Sequence, residues 1–180
     1  MSYNNEIMSW RRKQRKNLSK GVLIGDMLWS PVPESEREDL KLNFFPINPE
    51  FKFNARLTLF KAKRERILSR ADGTPTDPFF EVGYVEFKYE HENIRLLIIY
   101  DEQTDGYYVG FRDSTCGSES YPNGRLLLIE EIDQEGITLD FNKAFNFACA
   151  YNESLPCLIT PQENWLEFPI RAGEKRYHKF

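Results

Sequence analysis

Between residues 51 and 59 apolar and polar side chains alternate without a break. Phe51, Phe53, Ala55, Leu57 and Leu59 point one way, and Lys52, Asn54, Arg56 and Thr58 point the other. A period of two predicts a strand with one buried face and one wet face. A short strand is expected at 64–69, before a turn at Ala71-Asp72-Gly73-Thr74-Pro75. Apolar and aromatic runs at 82–89, 94–100 and 107–112 follow, divided by Glu90-His91-Glu92-Asn93 and by residues 101–106. Short strands divided by turn signals predict a meander. Residues 125–132 and 136–141 read as a further hairpin joined through Asp133-Gln134-Glu135-Gly136, and 165–170 as a final strand.

The pattern before residue 45 differs. Ile7, Trp10, Gln14 and Leu18 share one face at helical spacing, which predicts a helix over 3–19 stopped by Gly21. Residues 21–30 are apolar and short, suited to a strand or to packing across a barrel end, and Pro31 and Pro33 punctuate the chain after them. Glu34, Glu36 and Glu38 suit a surface helical turn with acids near its start. Residues 142–162 form a long polar–aromatic connection with no strand period, a length that is usually functional or held by its own packing. The expected fold is mainly β, an antiparallel barrel or sandwich with an N-terminal helix. One domain spans 1–180, with the β part at about 45–175.

Composition narrows the partners. The net charge is −4, with a pI near 5.4, whereas a nucleic-acid binder usually shows a basic face and a high pI. The one basic run, Arg11-Arg12-Lys13-Gln14-Arg15-Lys16, reads as a solvated helix face. No apolar run follows the N-terminal charges, and the longest apolar run, 96–100, is far too short to span a bilayer. The expectation is a cytoplasmic protein with no membrane or nucleic-acid partner, in which Cys116, Cys149 and Cys157 stay reduced. No feature sets an oligomeric state or names a cofactor.

Candidate chemistry gathers in residues 111–125 and 140–164, where charged and amide side chains stand beside small residues, prolines and aromatics. Such groups need partners when buried. Arg112 and Arg125 suit the anionic group of a small ligand. Asp113, Glu119 and Glu163 would orient them or act on the ligand. Ser114 and Tyr121 would add hydrogen bonds, and Asn142, Asn146 and Asn164 would tie down loop backbone. The hairpin at 125–141 should bring the two stretches together. A small anionic ligand is therefore the first reading. A hydrolase-like enzyme using the same carboxylates or Cys149 is the second, and a protein-interaction module with a purely structural cluster is the third. No metal site is expected: the two histidines, His91 and His178, stand in a turn and at the C-terminus, and Cys149 and Cys157 lack knuckle spacing.

The same residues carry a resemblance. Arg112-Asp113-Ser114-Thr115, Gly117-Ser118-Glu119-Ser120-Tyr121 and Gly124-Arg125 are one part. Asp140-Phe141-Asn142-Lys143-Ala144, Asn146, Cys149-Ala150-Tyr151, Pro161, Glu163-Asn164 and Ala172-Gly173-Glu174-Lys175 are the rest, with Trp10-Arg11, Phe45-Pro46-Ile47, Phe51 and Ala55-Arg56 as earlier landmarks. Together they resemble domain-of-unknown-function family 1684. This chain departs from it in having Asn146-Phe147-Ala148-Cys149-Ala150 where the family often has Asn-Pro-Pro-Cys-Ala, and in lacking a longer N-terminal region. The resemblance implies where to look and carries no reaction.

Overall fold

The computed structural model describes residues 2–68, 70, 72–75, 79–130 and 136–177. His178 and the turn residues Asp133, Gln134 and Glu135 lie outside them. Helix α1 (Tyr3–Lys20) is capped by Ser2, whose hydroxyl accepts from the Asn5 amide, and ends at Gly21, whose positive φ of 82° lets its N–H reach back to the Asn17 carbonyl. It buries Ile7 and Leu18. Residues 21–30 form a small hairpin of β1 (Val22–Ile24) and β2 (Met27–Trp29). Glu34–Glu36 is a single 3-10 turn.

The rest is a curled seven-stranded antiparallel sheet, a half-barrel. Its strands are β3 (Lys52–Arg66), β4 (Phe79–Tyr89), β5 (Glu92–Asp101), β6 (Gly106–Phe111), β7 (Arg125–Ile129), β8 (Ile137–Asp140) and β9 (Phe145–Asn146), in spatial order β8-β3-β4-β5-β6-β7-β9. The expected meander is β4–β6. The continuation expected at 64–69 forms as the end of β3, which runs past a bulge between Leu59 and Arg64 and stops at Arg66.

The predicted hairpin at 125–141 is corrected. Both strands form, but β7 pairs with β6 and β9, while β8 pairs with the start of β3. That register sets Leu139 opposite Phe53 and Ile137 opposite Ala55, so β8 completes the core face that the alternation in β3 demands. Phe141, fully buried, follows and meets Phe53, Phe87 and Phe111 at ring-centroid distances of 5.9, 5.9 and 5.0 Å. Consecutive strands thus sit at opposite edges of the curl and leave a seam between them. β8 covers only Lys52–Ala55 of β3. Beyond it Leu59, expected in the core, is 55% exposed.

The final strand predicted at 165–170 is also corrected. Trp165 makes one bridge to Arg112, and the chain then crosses the end of the sheet without pairing along a strand.

Candidate functional site

Arg125 opens β7, directly across from Phe111 and Asn146. Gly124 precedes it with φ 99°, where a Cβ would run into the Phe111 carbonyl, so glycine is required for the chain to enter the strand here. The Arg125 side chain is wholly buried. Nη2 donates to Asp113 Oδ2 at 2.6 Å and to the Ile170 carbonyl at 2.8 Å, and Nη1 donates to the carbonyls of Ala172 and, at 3.2 Å, Glu174. The guanidinium carbon lies 5.1 and 5.5 Å from the ring centroids of Phe111 and Phe45. Asp113 is fixed in turn, its Oδ1 accepting from the Thr115 amide at 2.7 Å. One planar fork therefore ties β7, the 112–124 loop and the 170–174 segment together.

Beside it lies a second buried group that the sequence did not single out as a site residue. Glu174 is 0% exposed, and its Oε2 accepts from the Tyr151 hydroxyl at 2.7 Å and the Asn146 amide at 3.1 Å. Among the described residues Oε1 has no hydrogen-bond partner, and neither do Asn146 Oδ1 and Arg125 Nε. Burial pushes the Glu174 carboxyl up to about 7, against the pull of the Tyr151 hydroxyl, the Asn146 amides and the Arg125 charge. Burial and the adjacent carboxylate also hold the Tyr151 hydroxyl well above its ordinary value. A raised carboxyl is what a general acid needs, but Glu174 has no surface a substrate can touch. The only signal for it in the sequence was its place in Ala172-Gly173-Glu174-Lys175.

The other expected site residues disperse. The Asn142 side-chain amide accepts from the Asn48 N–H, donates to the Asn48 carbonyl and donates to the Tyr3 hydroxyl, locking α1 to the sheet. Asn164 bonds the Leu97 N–H and C=O and the Gly110 carbonyl, acting as a strand substitute where β5 and β6 are unpaired. Glu163 is exposed and pairs with Arg66 at 3.0 Å. Glu119 pairs with Arg171 at 2.9 Å. Arg112 stacks over Trp165 at 4.5 Å, and Ser114 is exposed. The two stretches do meet, with Asn146 opposite Arg125, the Arg112 N–H donating to the Asn164 carbonyl at 3.1 Å and the Thr160 hydroxyl to the Asn123 carbonyl at 2.8 Å; Arg125 itself is wholly buried and has no exposed surface on which the expected anion contact can form.

Cys149 and Cys157 form a disulfide, and Cys116 is free. The turns at 148–151 and 152–155 bring the two Cα atoms to 5.3 Å, within bridging range. This corrects the expectation of three free thiols and removes the argument from cysteine count to a reducing compartment. Titration of the denatured, unreduced protein should find one thiol; three would contradict the pairing. Replacing both cysteines with serine should cost about 2–3 kcal/mol in a denaturant melt, from loop closure alone. The Tyr121 hydroxyl sits 3.0 Å from Cys157 Sγ, so Tyr121 belongs to this loop. Among the described residues no group of three His, Cys, Asp or Glu is arranged to hold a metal, and no helix is long and apolar enough to cross a membrane. His91 is exposed in the β4–β5 turn.

Open space lies instead along the seam. A cavity of about 470 Å³ beside β8 is lined by Lys52, Asn54, Glu130, Asp140 and Lys143, with Lys143 already paired to Glu6 and Glu130. A larger one, about 750 Å³, lies between the uncovered part of β3 and β6–β7. Leu59, Val82, Leu128, Ile129 and Tyr107 give it apolar walls, and Leu128 is 40% exposed. Lys63 stands at this cleft with its ammonium 3.8 Å from the Tyr100 ring centroid, and makes no ion pair among the described residues.

Comparison with known proteins adds a family and a fold neighbour, and no activity. No curated protein matches. The solution structure of the uncharacterized protein from gene locus rrnAC0354 of Haloarcula marismortui is similar, with a TM-score of 0.67 and 28% identity over 96% of this chain and 97% of that one. A family model described as "Protein of unknown function (DUF1684)" matches residues 40–175. The fold, the polar network and the seam described above are therefore those of a member of the DUF1684 family.

Proposed function

We propose that this protein binds a small amphipathic anion in the larger seam cleft, with Lys63 as the cation. The observation that carries the reading is the coincidence, in one cavity of about 750 Å³, of exposed aliphatic walls at Leu59 and Leu128 with an ammonium lacking a carboxylate partner among the described residues. Ligand sites are mostly apolar concavities with a few placed polar groups, and this volume lies within their usual range. The apolar part of the ligand would cover Leu59, Leu128 and Ile129, and its carboxylate or sulfonate would meet Lys63. The cleft acids, Asp105 and Glu130, are engaged by Tyr100 and Lys143, which lowers their repulsion of an anion.

Dodecanoate is a suitable probe, with dodecanol as the uncharged control. Isothermal titration should show one dodecanoate per chain. Lys63→Glu should weaken it roughly tenfold or more while leaving dodecanol nearly unchanged. Leu59→Asp should weaken both. An affinity indifferent to Leu59 and Lys63, or no binding, would overturn the reading.

A further inference from the structure

The basic run of α1 and the apolar stretch after it are separate features in the sequence and one feature in the fold. The hairpin β1–β2 begins and ends at the C-terminal turn of α1. Gly21 N–H bonds the Asn17 carbonyl, and the Ser30 hydroxyl donates to the Leu18 carbonyl at 2.6 Å. The root of the hairpin therefore lies within about one helical turn of Lys16 and Lys20.

The hairpin itself is an anomaly for a surface in water. Leu23 is 73% exposed and Leu28 62%, and the two are direct cross-strand partners, so they share one face. Met27, at 62%, adds to the opposite face beside Ile24. Single exposed leucines are ordinary, but a cluster on a protruding hairpin marks a contact.

Charge says what covers it. Residues 1–33 carry six lysines and arginines against two acids, a local +4, whereas the whole chain is −4. On α1, Arg11 and Arg15 bond the carbonyls of Phe45 and Leu40, which leaves Arg12, Lys13, Lys16 and Lys20 exposed on the outward side of the helix. The acids Glu34, Glu38 and Asp39 follow on the next segment. They temper the attraction, so the leucines must carry part of the binding. Exposed aliphatic groups next to a cationic helix face match a bilayer with anionic headgroups, where apolar insertion and charge act together. Nucleic acid would use the cations and leave the leucines in water.

We propose that the C-terminal end of α1 and the β1–β2 hairpin form a peripheral docking surface for anionic lipid bilayers, with Leu23 and Leu28 inserted and Lys16 and Lys20 on the headgroups. This replaces the expectation of no membrane partner. It concerns attachment to one leaflet and needs no spanning segment.

Co-sedimentation with phosphatidylserine-rich vesicles and with pure phosphatidylcholine vesicles tests it. The intact chain should bind the first and bind the second much more weakly, and added salt should release it. Leu23→Asp combined with Leu28→Asp should reduce partition about tenfold or more. Lys16→Glu combined with Lys20→Glu should do the same, since each basic residue near such a surface is worth about fivefold. Lys63→Glu should leave vesicle binding unchanged, which separates this surface from the seam cleft. Unaltered circular dichroism and melting of the leucine variant would show that its fold is retained. The proposal fails if no vesicle is bound, or if binding ignores the leucines. It also fails if a DNA duplex is retained equally through the cations alone, or if the leucine variant only converts a dimer to a monomer.

Discussion

Arg125→Ala is expected to lower stability by about 3–5 kcal/mol. For a chain of this size that is a loss of roughly 6–20 °C in Tm. The cost comes from what is left behind. Asp113, with a side chain 0% exposed, would keep its Thr115 cap but lose its cation, and the carbonyls of Ile170, Ala172 and Glu174 would lose a donor in a site that water does not reach. Arg125→Lys should recover little, because one ammonium cannot point four ways across a planar fork. Asp113→Asn should cost somewhat less, because the backbone carbonyls keep their donors, although it turns an NH2 toward the Arg125 guanidinium and leaves that buried charge without its carboxylate. Equilibrium denaturation of the three variants checks this order. A loss below about 1 kcal/mol for Arg125→Ala would place it among ordinary surface changes and contradict the tie between β7 and the 170–174 segment.

The second large effect is a pH dependence set by Glu174. Its carboxyl sits at about 7 in the folded chain against an ordinary value of 4.5, with burial the largest cause. Between those values the folded chain holds a proton that the unfolded chain releases, so stability falls as pH rises through this window. The contribution is fully present below about 4.5 and is lost above about 7, a difference of roughly 3 kcal/mol. A proton on Oε1 also removes the negative charge from a buried oxygen that lacks a donor among the described residues. The Tyr151 hydroxyl stays protonated throughout, because its own value is raised. Glu174→Gln keeps an acceptor for Tyr151 and Asn146 and removes the charge. It should flatten the dependence and stabilise the protein at pH 8. Urea melts at pH 5 and pH 8 for both chains measure this. A wild-type stability that rises between those pH values in step with Glu174 would contradict it.

The strands were legible because alternation survives wherever one face is covered. β3 shows both the strength of that signal and its limit. Phe51 and Ala55 turn into the core as the pattern requires, while Leu59 carries the same pattern and stays exposed. Nothing in the residues of β3 says that β8 stops at Ala55. The false hairpin has the same origin. Proximity in sequence favours pairing β7 with β8, but Ile137 and Leu139 bury more by completing the Phe53–Ala55 face.

The polar network was legible in part. Arg125 and Asp113 announced themselves as charges needing partners. The remaining partners are the backbone carbonyls of Ile170, Ala172 and Glu174, which no side-chain pattern encodes. The two stretches converge as expected at Asn146 opposite Arg125 and at Asn164 beside Arg112, while Glu163 and Asn142 spend their bonds on Arg66 and Asn48 instead of on Arg125. The cysteine pairing depended on two turns whose geometry the spacing alone does not set. Lys63 was invisible as a site residue, because it sits in an ordinary run of charges and gains meaning only from the uncovered edge of β3.

On the proposed function labour is divided: the buried Arg125 network closes the fold, and the seam cleft would meet the ligand. Backbone amide NMR during a dodecanoate titration tests it most directly. Shifts should saturate at Leu59, Lys63, Val82, Leu128 and Ile129, with the amides of Asp113, Arg125 and Glu174 unmoved. Saturating shifts confined to Asp113, Arg125, Asn146 and Glu174, with the seam silent, would contradict it.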